Sequence, residues 1–238
     1  MKKSSSGIGL IELMVAMTLG LIVTLSVTQI FLSAKNTYRS QNAAAVMQED
    51  ARYVLSKMMQ EIRMTGMFGC LVARTDSSAN QTFTIAAANP ITYANSASGG
   101  KVLTLISSDI GSSSTTPDWT IVTDCATSAT VVSGNPTGSS SMMKFPIRRV
   151  VYTYLNGSIY IGTGTNRQVL VNNVGNFGIT FGVETNTPRE VGLYTPSPTT
   201  TQNILSVRLS LTMTDGETPK RVRDQTYNVV ATIRNKVN

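Results

Sequence analysis

The 238-residue chain contains no histidine, which removes the commonest general base and the commonest metal ligand at once. Two cysteines, Cys70 and Cys125, are too few for a zinc site built on thiolates. Acidic residues number only 13, a thin supply for carboxylate chemistry spread over the whole length. No Gly-x-Ser-x-Gly elbow, Walker loop or paired-Cys metal motif is present. Gly162-Thr163-Gly164-Thr165 lacks the third glycine of a dinucleotide loop and opens no periodic helix. These absences point away from an enzyme and toward a chain without cofactor. Charged residues make up 14% and the mean hydropathy is +0.03, so neither a highly charged disordered chain nor a polytopic membrane protein fits. The length suits one large domain, or one domain with an appendage.

What charge there is leans basic, 20 Lys and Arg against 13 acids for a net +7. That balance permits contact with nucleic acid or anionic lipid, but the residues do not cluster and an ordinary basic surface accounts for them. Lys220, Arg221 and Arg223 form the one notable group, which reads as a solvated turn.

The N-terminus is the strongest signal. From Ile8 to Leu32 run 25 residues whose one charge is Glu12, and the 20 residues from Leu13 carry none. As a helix rising about 1.5 Å per residue, that run spans the ~30 Å hydrocarbon core of a bilayer. Lys2 and Lys3 precede it, so the positive-inside rule holds the leader in the cytoplasm and exports everything after Leu32. A secretory signal peptide shares the basic start, but this run exceeds the usual 7 to 15 or so residues and no small-x-small cleavage site closes it. Glu12 near the cytoplasmic end is either a tolerated interfacial acid or the mate of a buried positive charge. Export places both cysteines in the periplasm, where a Cys70–Cys125 disulfide is favoured over two buried thiols. A loop of about 55 residues closed this way stabilises by about 4 kcal/mol in the chain-entropy model.

Gly7-Ile8-Gly9-Leu10-Ile11-Glu12-Leu13-Met14 resembles the class III signal of type IV pilins and type II secretion pseudopilins. The resemblance implies that a prepilin peptidase cuts between Gly7 and Ile8 and that Ile8 is N-methylated. Ile8 stands where Phe is more usual. Glu12 becomes the fifth residue of the mature chain, an assembly contact. Cleavage removes Lys2 and Lys3, leaving 18 basic against 13 acidic side chains. The new amine and the Glu12 carboxylate stabilise each other in hydrocarbon, and between staggered neighbours they set axial register. Gly9, Ala16, Gly20 and Ser26 would admit close helix approach.

From Ser33 to Met64 the chain turns polar but keeps helical spacing, with Met47, Ala51, Val54, Leu55, Met58 and Ile62 on one face and Gly66 as a stop. A single helix from Ile8 to about Thr65 would be roughly 87 Å long. Beyond Cys70, Thr, Ser, Val, Asn and Gly dominate, and short apolar stretches between turns read as antiparallel β-structure. Candidate strands are 82–85, 102–106, 120–122, 148–155, 158–161, 176–183, 206–214 and 225–233. Asn156-Gly157 supplies the positive φ angles of a type I′ hairpin turn between two of them. The Ser-rich segments 107–116 and 133–141 and the proline-bearing stretch 185–201 read as exposed loops. The expected fold class is α+β: a long N-terminal α-helix packed on an antiparallel β-sheet head. Its expected divisions are a leader at 1–7, a membrane helix at 8–32, an amphipathic helix at 33–66 and a periplasmic head at 67–238.

Three further segments narrow the resemblance. Gln48-Glu49-Asp50-Ala51-Arg52, with Arg63-Met64-Thr65-Gly66-Met67-Phe68-Gly69-Cys70, is similar to the helix end of the PilW minor pilins. Leu170 to Val174 with Ile179 to Val183, and Ala231 to Lys236, resemble that family's later strands, with Phe181 in place of the usual Tyr. The resemblance implies a minor pilin of the type IV pilus in a priming or tip complex. Its partners would be the peptidase, other minor pilins and the major pilin through the N-terminal helix, at the inner membrane. The alternatives are a type II secretion pseudopilin of the J kind and, on the basic charge alone, a tip receptor for nucleic acid.

Overall fold

The computed structural model describes residues 9–70, 73–95, 100–109, 116–136, 141–185, 188–199 and 202–234. The Gly7–Ile8 cleavage and methylation positions lie outside them.

One helix, α1, runs unbroken over Leu10–Met64, 55 residues and therefore about 83 Å. No proline interrupts it. It ends where Thr65 turns extended (φ −61°, ψ 135°) and Gly66 takes φ 78°, a conformation that costs a glycine nothing. Gly66 N–H then donates to the Ile106 carbonyl at 3.0 Å, which ties the helix end to the head.

The head follows as β1 (Thr75–Asp76), α2 (Thr82–Ala88), β2 (Ile91–Asn95), β3 (Lys101–Ser108), β4 (Trp119–Thr123), β5 (Ala129–Ser133), β6 (Met143–Leu155), β7 (Ser158–Ile161), β8 (Gln168–Val171), β9 (Val174–Glu184), β10 (Val191–Thr195), β11 (Ile204–Met213) and β12 (Gln225–Thr232). These strands make two sheets. The larger has eight strands in the order β1-β5-β4-β6-β3-β2, with β7 on β6 and β8 on β7. The 13-residue β6 is its spine: β3 lines one side, while β4 pairs with its first half and β7 with its second. The smaller sheet has the order β10-β9-β11-β12. All pairings are antiparallel except β1 with β5.

The second half of α1 fills the space between the sheets. Met47, Ala51, Val54, Leu55, Met58 and Ile62 are its buried residues, the same six that the 3.6-residue period places on one face. They join one core with Leu103, Leu105 and Tyr152 of the large sheet and Phe177, Phe181, Val207, Leu209 and Leu211 of the small one. A second cluster, with Phe68, Phe83, Trp119, Ile121 and Ile147, lies under α2.

The Asn156-Gly157 hairpin joins β6 to β7, with φ of 49° and 74° at its two central residues. Three expectations are corrected. Residues 82–85 are not a strand but the start of α2. Asp76 Oδ2 accepts from Thr84 N–H at 2.8 Å and Ser78 Oγ from Phe83 N–H at 3.2 Å. These bonds satisfy helix N-terminal donors, and three alanines follow, the best helix formers. The stretch 185–201 is not wholly loop, because Val191–Thr195 pairs with β9 between Pro188 and Pro196, which bound the strand rather than forbid it. Ser107 and Ser108, read as loop, end β3, and Ser133 ends β5. Residues 110–115 and 137–140 of those Ser-rich segments lie outside the described residues.

Candidate functional site

Among the described residues, nothing packs over the first half of α1. Leu10 is 77% exposed, Ile11 78%, and every large apolar side chain from Leu13 to Leu32 remains exposed. Such a contiguous apolar surface is far larger than a soluble monomer leaves uncovered. The helix is long and apolar enough to cross a membrane.

The hydroxyls within it are already satisfied. Thr18 Oγ1 donates to the Val15 carbonyl at 2.9 Å, Ser26 Oγ to Ile22 at 2.8 Å and Thr28 Oγ1 to Thr24 at 2.8 Å, and Thr24 bonds Gly20 likewise. Back-bonding of this kind lets a helix carry hydroxyls through hydrocarbon without a partner. Glu12 stands apart as the charged side chain of the span. Gly9 caps the helix in an extended conformation (φ −74°, ψ 147°), and its carbonyl accepts from Glu12 N–H at 3.0 Å and Leu13 N–H at 3.2 Å. Glu12 thus lies in the first turn, where the positive end of the helix dipole favours a carboxylate. Of the four small residues noted above, Gly9 and Gly20 have open space where a side chain would project. Nothing among the described residues requires glycine there, so the gap is available to a neighbouring helix.

Two devices fix the exposed half relative to the head. Glu61, on the buried half of α1, receives Lys57 Nζ on Oε1 at 3.0 Å and Tyr152 Oη on Oε2 at 2.6 Å. Burial, and then the Glu61 carboxylate, push the Tyr152 phenol far above its ordinary pKa, so it remains a donor at any physiological pH. Helical spacing alone puts Glu61 off the apolar face and says nothing more of it. That Tyr152 would meet it from 91 residues away depends on the packing of β6 against α1.

The other device is the disulfide. Cys70 and Cys125 are joined, with Cα atoms 5.5 Å apart, linking the segment after α1 to the turn between β4 and β5. Cys125 sits at φ 57°, and Asp124 holds it there. Its Oδ1 accepts from the N–H groups of Ala126, Thr127 and Ser128, each at 2.9 Å, and its Oδ2 from Thr127 Oγ1 at 2.7 Å. These bonds, the Ser128 amide first, hold the Asp124 carboxyl far below the usual carboxylate range. Sequence reading missed this residue, although Asp-Cys-Ala-Thr-Ser between two strands carries the signature of an Asx turn.

The basic group at 220–223 is tied within its own turn. Lys220 Nζ meets Asp224 at 2.7 Å and Arg221 Nη2 meets Glu217 Oε2 at 3.3 Å. Among the described residues no group of His, Cys, Asp and Glu is arranged to hold a metal ion.

Residues 2–28 match the model of the prokaryotic N-terminal methylation motif. No curated protein matches the chain. This prepilin-type motif, together with the exposed apolar helix, supports a type IV pilin-like or pseudopilin protein, processed by prepilin peptidase and associated with other pilins in a membrane-anchored assembly.

Proposed function

We propose that the chain is a minor pilin of the type IV pilus, of the PilW kind, working in a priming or tip complex that promotes pilus assembly. The observation that carries this reading is the division of α1. One half is wholly exposed and apolar from Leu10 to Leu32, while the other is locked into the head with Val54, Met58 and Ile62 at 0% exposure. A free-standing apolar helix costs the isolated molecule dearly in water and is relieved first by the inner membrane and then by neighbouring helices. The leader, residues 1–7, is cut from Ile8, which is N-methylated, and the head faces the periplasm until the subunit enters the fibre. Glu12 then meets a neighbour's terminal amine and sets the register. The protein performs no catalysis; it is the peptidase's substrate and a building part.

The Arg63-to-Cys70 helix ending and the cysteine pair favour the pilus over the J-kind pseudopilin. The test is a clean deletion of the gene, scored in parallel for surface pili and for type II secretion of an exoprotein. Loss of pili with secretion intact is the expected result. Loss of secretion with pili intact assigns the chain to the secretion system, and loss of neither refutes both readings.

A further inference from the structure

The head carries a cleft of about 720 Å³ that the assembly helix does not use. One wall is β2, the terminal strand of the large sheet. Ile106 N–H donates to the Pro90 carbonyl at 2.9 Å, and the same register pairs Thr92 with Thr104 and Ala94 with Val102. Hydrogen-bonded pairs alternate along an antiparallel ladder, so Thr92 and Ala94 bond to β3 while Tyr93 and Asn95 turn their N–H and C=O groups toward the outer edge. That edge, Ile-Thr-Tyr-Ala-Asn, carries no charge, proline or bulge, the usual guards of an open strand.

The far wall is the part of β9 that β10 leaves uncovered. Pairing with β10 begins at Phe181, and Pro196 and Pro198 follow the end of β10, which keeps that strand from continuing past Ile179. Tyr93 and Phe181 lie against each other below, ring centroids 6.0 Å apart. Among the described residues, Lys101 is the one charged residue in the lining and there is no acid. Its Nζ is held at one end of the cleft by the Phe177 carbonyl, 2.9 Å away.

An unpaired strand edge beside a trough with an apolar floor and a single cation is complementary to one kind of ligand. We infer that this cleft binds an extended polypeptide segment of a partner protein, which adds as a strand to β2, sets alternate apolar side chains over Tyr93 and Phe181, and places an acidic group at Lys101. β-Strand addition of this kind takes affinity from main-chain hydrogen bonds and specificity from alternate side chains. Five residues of β2 at about 3.4 Å each give it a span of about 17 Å. The site is separate from the exposed helix, so it provides a second, non-helical contact to a protein outside the helix bundle.

The test uses the full-length protein in detergent micelles and labelled eight-residue peptides of alternating Val and Thr, ending in Asp at one terminus or the other. Expected are saturable binding by an Asp-ended peptide, about fivefold weaker binding when Asn replaces Asp, and at least about tenfold slower hydrogen exchange at the Tyr93 and Asn95 amides. N-methylation of alternate peptide residues, which removes edge donors and keeps every side chain, abolishes binding. No binding up to about 1 mM, equal binding of the N-methylated peptides, equal binding of the Asn form, or unchanged exchange at Tyr93 and Asn95 would each overturn the inference. None of these outcomes depends on which filament the chain joins.

Discussion

Glu12 combines two environments that pull in opposite directions. The first turn of α1 favours its carboxylate through the helix dipole, while hydrocarbon around the span penalises a charge by up to about 2.5 to 3.5 kcal/mol at mid-bilayer. The proposed pairing with a neighbour's terminal amine would resolve the conflict. Glu12→Gln is therefore expected to be inserted and cleaved normally, with its share of the sheared fibre fraction falling about tenfold, the population change for about 1.4 kcal/mol. Immunoblots of membrane and fibre fractions measure both, and an unchanged fibre share would remove Glu12 from the register. Asp124 makes a pH-dependent contribution. Its pKa is depressed in the folded state, so its stabilisation is present above the ordinary carboxylate value near 4 and is lost as pH falls below it. The melting-temperature gap between wild type and Asp124→Asn should be open at pH 7 and close progressively below about pH 4. A gap that stays constant to pH 2 would mean that the turn gains nothing from the charge.

At the scale of elements, α1 is one helix with two surroundings. Its second half has an apolar face that the period alone identifies, because every side chain on that stripe meets the same core. Met58, at 0% exposure, should cost about 2 to 5 kcal/mol when replaced by Ala, measured as urea unfolding of the full chain in detergent. Met17, 66% exposed on the span, should cost almost nothing in the same assay, and equal losses at the two positions would contradict the division of the helix. Strands were legible where alternation was long or a turn was specific, as in β6–β7 and β11. They were illegible where pairing is decided by a distant partner: β1 is two residues long and exists because β5 lies alongside. The sequence 82–85 alternates like a strand, yet hydrogen bonds from Asp76 and Ser78 start a helix there.

On the scale of the whole molecule, β3 and β6 run through both clusters of the head, with Leu105 and Tyr152 in one and Ile106 and Ile147 in the other, and the Cys70–Cys125 bridge ties the chain after α1 to the β4–β5 turn beside the second. The bridge closes a loop of 55 residues, for which chain entropy allows about 4 kcal/mol. Cys70→Ser should shorten the half-life of the full-length protein under added protease severalfold, and reductant should shorten the wild type's to the same degree while leaving the variant unaffected. An unchanged half-life would show that the two cores hold the head without it.

The N-terminal third was determined by sequence alone, because its properties are local. Length, apolarity, the position of Glu12 and the residues around Gly7 follow from the order of side chains and need no tertiary contact. The buried face of Met47 to Ile62 belongs with them, since a 3.6-residue period is written in the chain itself. The tertiary structure decided what depends on residues far apart: two sheets rather than one, Tyr152 closing on Glu61, and the open edge of β2 facing the uncovered end of β9. Pairing energies between strands depend on which partner arrives, and a chain of short Thr- and Ser-rich strands offers many partners of similar worth. Only the packing of all of them around one helix selects among these.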